Sequence, residues 1–113
     1  MHEMALAEGV LGILEDAQRE QHFEKIRVVR LEIGTLAGVD LEAFRFCLGI
    51  ALDQGVAHGA RLEWNIVAGS GFCFDCGQTV ELDTLYSPCK LCGGPHVEAT
   101  GGMQMRVRDL LVE

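Results

Sequence analysis

Residues 73–93 read CFDCGQTVELDTLYSPCKLCG and hold four of the five cysteines of the chain. The cysteines form two pairs, Cys73 with Cys76 and Cys89 with Cys92, and 12 residues separate the pairs. Two residues between thiols allow one tight turn to aim both sulfurs at a single ion. A glycine follows each pair and relieves crowding where the chain turns past the metal. Four thiolates supplied by two such turns are typical of a structural zinc site.

Two other uses of these thiols stay open at this point. The same C-x-x-C-G turns also suit iron held by four thiolates. Alternatively, the pairs could form redox dithiols or disulfides. A redox C-x-x-C normally opens a helix within a β-α-β pattern, and neither pair here does so. Structural zinc is therefore the favoured interpretation.

The cysteines lie in a segment, residues 70–102, that is rich in Gly and Cys and has no long apolar periodicity. A segment of about 30 residues cannot fold by apolar burial alone and needs a metal or disulfides. The sequence therefore predicts two domains. Residues 70–102 form an inserted, zinc-ribbon-like, zinc-binding module, and residues 1–69 together with 103–113 form an α/β domain around it.

Hydrophobic spacing predicts five elements outside the insert. They are a helix over 4–21, a strand over 25–33, a helix over 41–54 capped by Asp40, a strand over 61–68 and a last strand over 103–112. The apolar stripes are Leu6, Val10, Ile13, Leu14 and Ala17 in the first helix, and Phe44, Cys47, Leu48, Ala51 and Leu52 in the second. Three strands with two helices on one face make an α+β fold.

Composition excludes several classes of protein. The chain of 113 residues has nine Lys and Arg against 17 Asp and Glu, a net charge of −8, which disfavours binding to a nucleic-acid backbone. No apolar run approaches the roughly 20 residues that span a bilayer, which disfavours a membrane protein. The acidic start, MHEMALAEG, is not a secretory signal, so the expected location is cytoplasmic.

The first three residues, Met1-His2-Glu3, suggest a second metal site. A bulky second residue blocks removal of the initiator methionine. The chain then offers a free amine directly before an imidazole. Amine, imidazole and backbone amide nitrogens together favour tetragonal Ni(II) or Cu(II) rather than zinc. The alternative is an exposed histidine near a frayed terminus.

The remaining single residues carry less information. Cys47 lies in the apolar stripe of the second helix, where a cysteine is usually a small buried hydrophobe. His96 follows the second cysteine pair and is either a surface histidine, a hydrogen-bonding neighbour of the metal ligands or an alternative ligand. We assign no chemistry to His22 or His58.

The opening MHEMAL, the order helix–strand–helix–strand and the double C-x-x-C-G insert before a final strand resemble the HypA/HybF family of nickel metallochaperones. The resemblance covers essentially the whole chain. It implies nickel at the N-terminus, with the predicted nickel-site residues Met1, His2, Glu3 and Asp40, and zinc held by Cys73, Cys76, Cys89 and Cys92. Asp40 enters this set because it matches an acidic position that lies near the nickel site in the family.

The resemblance also implies a function. The chain is expected to deliver Ni(II) to the [NiFe]-hydrogenase large-subunit precursor, together with a HypB-type GTPase. Some family members carry a histidine directly after each cysteine pair. Those positions are Gly77 and Gly93 here, which argues against histidine switching at the zinc site. A weak homodimer is compatible with the sequence.

Two other functional classes were weighed against nickel delivery. A zinc-ribbon accessory protein without nickel transfer fits the insert, although Lys90 is the only Lys or Arg of that module. An enzyme is disfavoured because the chain has neither a G-x-x-x-x-G-K-[ST] loop nor an H-E-x-x-H motif. A carrier should bind one zinc and one labile nickel, whereas the other two classes predict zinc only.

Overall fold

The computed structural model describes residues 2–113 and shows an α+β fold, as predicted. The elements are α1 (Glu3–Gln21), β1 (Ile26–Gly34), α2 (Leu41–Ala51), a 3-10 turn (Gly55–Ala57), β2 (Arg61–Val67), β3 (Gly69–Cys73), β4 (Thr79–Leu82), β5 (Val97–Gly101) and β6 (Met105–Val112). The strands form two three-stranded sheets, in the orders β2-β1-β6 and β4-β3-β5.

Helix α1 packs against α2 through a narrower stripe than predicted. Its buried residues are Ala7, Val10 and Leu14, which repeat every three or four positions. Ile13, which we had placed in the stripe, is half exposed. No helix among residues 2–113 is both long enough and apolar enough to cross a membrane.

Helix α2 begins as predicted and ends earlier. The carboxylate of Asp40 accepts a hydrogen bond from the Ala43 N–H at 3.2 Å, which caps the helix. Phe44 and Leu48 are fully buried, whereas Cys47 is only partly buried. The helix ends at Ala51 rather than at residue 54, because the following residues leave helical geometry and lead into the 3-10 turn.

The central strand of the first sheet is β1. Ile26, Val28, Val29, Leu31 and Ile33 are all buried, so the strand is covered on both faces. Lys25 lies just before β1, and Glu113 lies just after β6. The two residues exchange two backbone hydrogen bonds, as residues of antiparallel strands do.

Strands β1 and β2 run in the same direction. Arg30 donates to Glu63 at 3.0 Å, and further along both strands the Thr35 N–H donates to the Val67 carbonyl at 2.9 Å. With α2 between them, the two strands make a β-α-β unit. Arg30 also contacts Asp109 of β6 at 3.2 Å, so one side chain connects all three strands.

The second sheet was not predicted. Strand β3 pairs antiparallel with β4, where Phe72 is opposite Thr79, and with β5, where Cys73 is opposite Val97. A bulge between Ser70 and Gly71 interrupts the second pairing. The three strands have only four or five residues, and β3 starts with Gly-Ser-Gly, which has low strand propensity, so periodicity does not reveal them.

The chain forms two compact units. One consists of residues 1–31, 39–63 and 107–113, and the other of residues 32–38 and 64–106. The first unit contains both helices, and the second contains the four paired cysteines. The domain boundaries predicted at 69/70 and 102/103 stay a prediction.

Candidate metal centres

The four paired cysteines converge as their spacing predicts. Their four Sγ atoms, from Cys73, Cys76, Cys89 and Cys92, all lie within 4.8 Å of one another. The Sγ atoms of Cys73 and Cys92 are 3.6 Å apart, and those of Cys76 and Cys89 are 3.8 Å apart. Four sulfurs at about 2.3 Å from a central zinc ion are about 3.8 Å from one another in a regular tetrahedron. The cluster therefore has the size that a tetrathiolate site requires.

Two turns with the same backbone pattern produce this convergence. The Gly77 N–H donates to the Cys73 carbonyl at 2.8 Å, and the Gly93 N–H donates to the Cys89 carbonyl at 2.8 Å. Both glycines have left-handed backbone conformations, with φ of 70° and 74°. A side chain would strain either position, which explains the glycine after each pair.

Local hydrogen bonds make the Cys89 thiol more acidic than an ordinary cysteine. The backbone N–H groups of Cys92 and Leu91 each donate to the Cys89 sulfur at 3.4 Å and lower the pKa of Cys89 to about 7. Burial instead raises the pKa of Cys76 to about 12. Because the thiolate is the form that binds metal, these hydrogen bonds favour the ligating form of Cys89.

The cysteines also form much of the interior of their own module. The buried cluster there consists of Cys73, Val80 and Cys89, with Cys76 and Val97 packed against it. Three of these five residues are thiols. An apolar core this small cannot hold the module, so its stability depends on what the thiols bind.

His96 is not part of the sulfur cluster. Its Nδ1 atom lies 2.9 Å and 3.1 Å from the two carboxylate oxygens of Asp75, which belongs to the first cysteine turn. The structure thus shows an exposed histidine paired with Asp75, which lies between Cys73 and Cys76.

The structure brings together two of the residues predicted for the nickel site. The Asp40 N–H donates to the Glu3 carboxylate at 3.2 Å, although 37 residues separate them. His2 is the exposed residue that precedes α1, and its side chain makes no capping hydrogen bond. Its carbonyl accepts the first hydrogen bond of the helix from the Leu6 N–H at 3.0 Å. Met1 lies outside the described residues.

The contact between Glu3 and Asp40 completes a helix cap in an unusual way. In a capping box, the residue three positions after the cap returns a side chain to the N–H of the capping residue. That position in α2 is Ala43, which has no such side chain. Glu3 of α1 supplies the missing carboxylate. The incomplete box in the sequence was the signal that a carboxylate from elsewhere caps this helix, and sequence reasoning missed it.

Comparison with known proteins gives consistent results along the whole chain. The family model described as "HypA: Hydrogenase/urease nickel incorporation, metallochaperone, hypA" matches residues 1–112. The Hydrogenase maturation factor HypA of Albidiferax ferrireducens is 48% identical over 113 residues, which cover 100% of both chains. The protein of the same name from Azoarcus sp. is 48% identical over 110 residues, 97% of this chain and 96% of that protein.

A solved structure has the same fold. The solution structure of the Ni metallochaperone HypA from Helicobacter pylori superimposes with a TM-score of 0.72 at 24% identity. The match covers 99% of this chain and 97% of that chain.

Proposed function

Because the chain belongs to the HypA family of hydrogenase and urease nickel-incorporation metallochaperones, we propose that it carries Ni(II) to the [NiFe]-hydrogenase large-subunit precursor. The family consists of maturation factors and not of enzymes. The relatives described above are hydrogenase maturation factors, which supports a hydrogenase rather than a urease as the recipient.

The proposed nickel ligands are the Met1 amine, the His2 imidazole and nearby backbone nitrogens, with Glu3 and Asp40 beside them. The observation that carries this proposal is the hydrogen bond between the Asp40 N–H and the Glu3 carboxylate. It fixes the start of α1 against the start of α2, directly after His2. The imidazole is exposed and is not used as a helix cap, which leaves it available to an ion.

We further propose that Cys73, Cys76, Cys89 and Cys92 hold a structural Zn(II) ion. The sulfur–sulfur distances fit such a site, and two of the sulfurs are buried. Zinc bound to four thiolates stabilises the folded module and is not released readily. The nickel site is open by contrast, as a site that must release its cargo should be.

The proposed partner in delivery is a HypB-type GTPase. This chain has no G-x-x-x-x-G-K-[ST] loop, so nucleotide hydrolysis must take place on another protein. The net charge of −8 favours encounter with a surface of opposite charge, and such steering weakens as salt rises.

Extending the chain by one residue tests the proposed nickel ligands. In a titration monitored by absorption spectroscopy, the untagged protein should bind one Ni(II). A glycine placed before Met1 converts the Met1 amine into an amide and moves the free amine one residue further from His2, so the nickel ligand set and the absorption spectrum should change. Zinc content should not change, because the two sites share no ligand.

A nickel absorption spectrum unchanged by the extension would contradict the proposed ligand set. If the untagged protein bound zinc and no nickel at all, the zinc-ribbon accessory protein would become the better interpretation.

A further inference from the structure

One carboxylate connects the two cysteine turns. Asp75 lies between Cys73 and Cys76, and both of its oxygens contact the His96 Nδ1 atom, at 2.9 Å and 3.1 Å. The backbone N–H of His96 also points to Asp75, at 3.4 Å. A residue of the first turn thus binds the chain that leaves the second turn.

The neighbouring backbone reinforces this contact. The Phe74 N–H donates to the His96 carbonyl at 2.9 Å. A Cβ atom placed on Gly94 would lie 2.2 Å from a carboxylate oxygen of Asp75, so only glycine allows the chain to come this close. Residues 94–96 therefore lie directly on the first turn.

We propose that Asp75 and His96 form a latch that slows loss of the metal from the four cysteines. The proposal rests on the metal site proposed above. Cys92 is the exposed thiol of the four, whereas Cys73 and Cys89 are buried. An incoming chelator reaches Cys92 first, and this ligand must swing away before the ion can leave. Only Gly93, Gly94 and Pro95 separate it from His96, so fixing His96 restricts that movement.

The latch is a kinetic device and not the basis of the fold. The antiparallel pairings of β3 with β4 and with β5 do not involve the side chain of Asp75 or His96, and neither does the proposed four-cysteine site. The side chains of His96 and Asp75 are 70% and 38% exposed, so the strength of their contact is modest. Its removal should therefore speed metal release by about threefold to tenfold and leave the ligand set intact.

Zinc release from the full-length protein tests the latch. We would mix zinc-loaded protein with excess chromogenic chelator at one fixed pH and compare the wild type with Asp75→Ala, His96→Ala and the double variant. Each single variant should release zinc about threefold to tenfold faster. The double variant should be no faster than Asp75→Ala, because that change alone removes every contact of the Asp75 carboxylate with His96.

Two further variants separate the latch from a general loss of stability. Glu98→Gln removes one exposed charge of the same module, outside the two cysteine turns, and should release zinc at the wild-type rate. Gly94→Ala changes neither latch residue, yet it displaces the Asp75 carboxylate and should speed release as the latch variants do. The absorption spectrum of cobalt-substituted protein should show four thiolates in every variant.

Wild-type release rates in both single variants, or additive effects in the double variant, would overturn the latch. An altered cobalt spectrum would overturn it as well, by showing that the pair determines the ligand set. If the wild-type protein held one zinc but the variants released it at the wild-type rate, the proposed metal site would be supported and the latch would be wrong. If the wild-type thiols held no metal, the site itself would be wrong.

Discussion

At the scale of single residues, the Glu3 carboxylate has two roles. It completes the cap of α2 through the Asp40 N–H, and it follows directly after the proposed nickel ligand His2. The carboxylate also lies where the positive ends of helix dipoles favour a negative charge. The same contact thus links the start of α1 to the start of α2.

Replacing Glu3 tests this double role. Glu3→Ala should lower the free energy of unfolding by about 0.5–1.5 kcal/mol, because the Asp40 N–H loses its partner. Nickel affinity should fall as well, since the start of α1 is no longer fixed. Urea unfolding and nickel titration measure the two effects. Glu8→Ala, an exposed position of the same helix, should change neither by more than about 0.5 kcal/mol. Unchanged stability in Glu3→Ala would show that the contact is dispensable.

Gly34 is needed because the backbone of Gly102 passes very close to it. A Cβ atom on Gly34 would lie 2.0 Å from the Gly102 carbonyl oxygen, and the Leu36 N–H donates to the same oxygen at 2.8 Å. Gly34→Ala should therefore destabilise the protein by about 2–3 kcal/mol, because backbone must move. Gly9→Ala should instead stabilise it by about 0.5–1 kcal/mol, because α1 has open space there. Equal thermal stability of the two variants would contradict the clash.

At the scale of elements, local rules explain which parts of the fold the sequence could predict. The cap at Asp40 and the convergence of the thiols follow from spacing within a few residues and from ligand chemistry, and both are confirmed in the structure. Strand β3 forms a hairpin with β4 around the first cysteine pair and also pairs with the more distant β5, and local periodicity reports neither pairing. The contact between Glu3 and Asp40 was not predicted either, because 37 residues separate the two in the sequence.

We expect the second sheet to depend on the metal ion proposed for the four cysteines. Its buried cluster is formed mainly by Cys73, Cys76 and Cys89, so removal of the ion leaves little to hold β3, β4 and β5 together. Chelation should collapse the amide signals of residues 70–101 in a ¹H–¹⁵N spectrum. The signals of α1 and α2 should stay dispersed, because Phe44, Leu14 and Leu48 are buried independently of the cysteines. A well-dispersed module in the metal-free protein would contradict this account.

At the scale of the whole molecule, the proposed metal sites lie in different compact units. His2, Glu3 and Asp40 belong to the unit that contains both helices, and the four cysteines belong to the other. The sites also differ in donor chemistry, with nitrogen ligands proposed for nickel and thiolates for zinc. This separation allows one ion to be retained while another is exchanged.

The fold itself tolerates extensive sequence change. The Helicobacter pylori structure keeps it at 24% identity, whereas the relatives at 48% identity share nearly the full length. The sequence indicated the family because its opening residues and its double cysteine motif occur together.

Metal content of the His2→Ala protein tests the central claim most directly. Untagged wild type, His2→Ala and the control His58→Ala would be titrated with Ni(II), and bound nickel and zinc would be counted by atomic emission. We expect one zinc in all three proteins, one nickel in the wild type and the control, and no nickel in His2→Ala. Full-affinity nickel binding by His2→Ala would contradict the account and place the cargo site elsewhere in the chain.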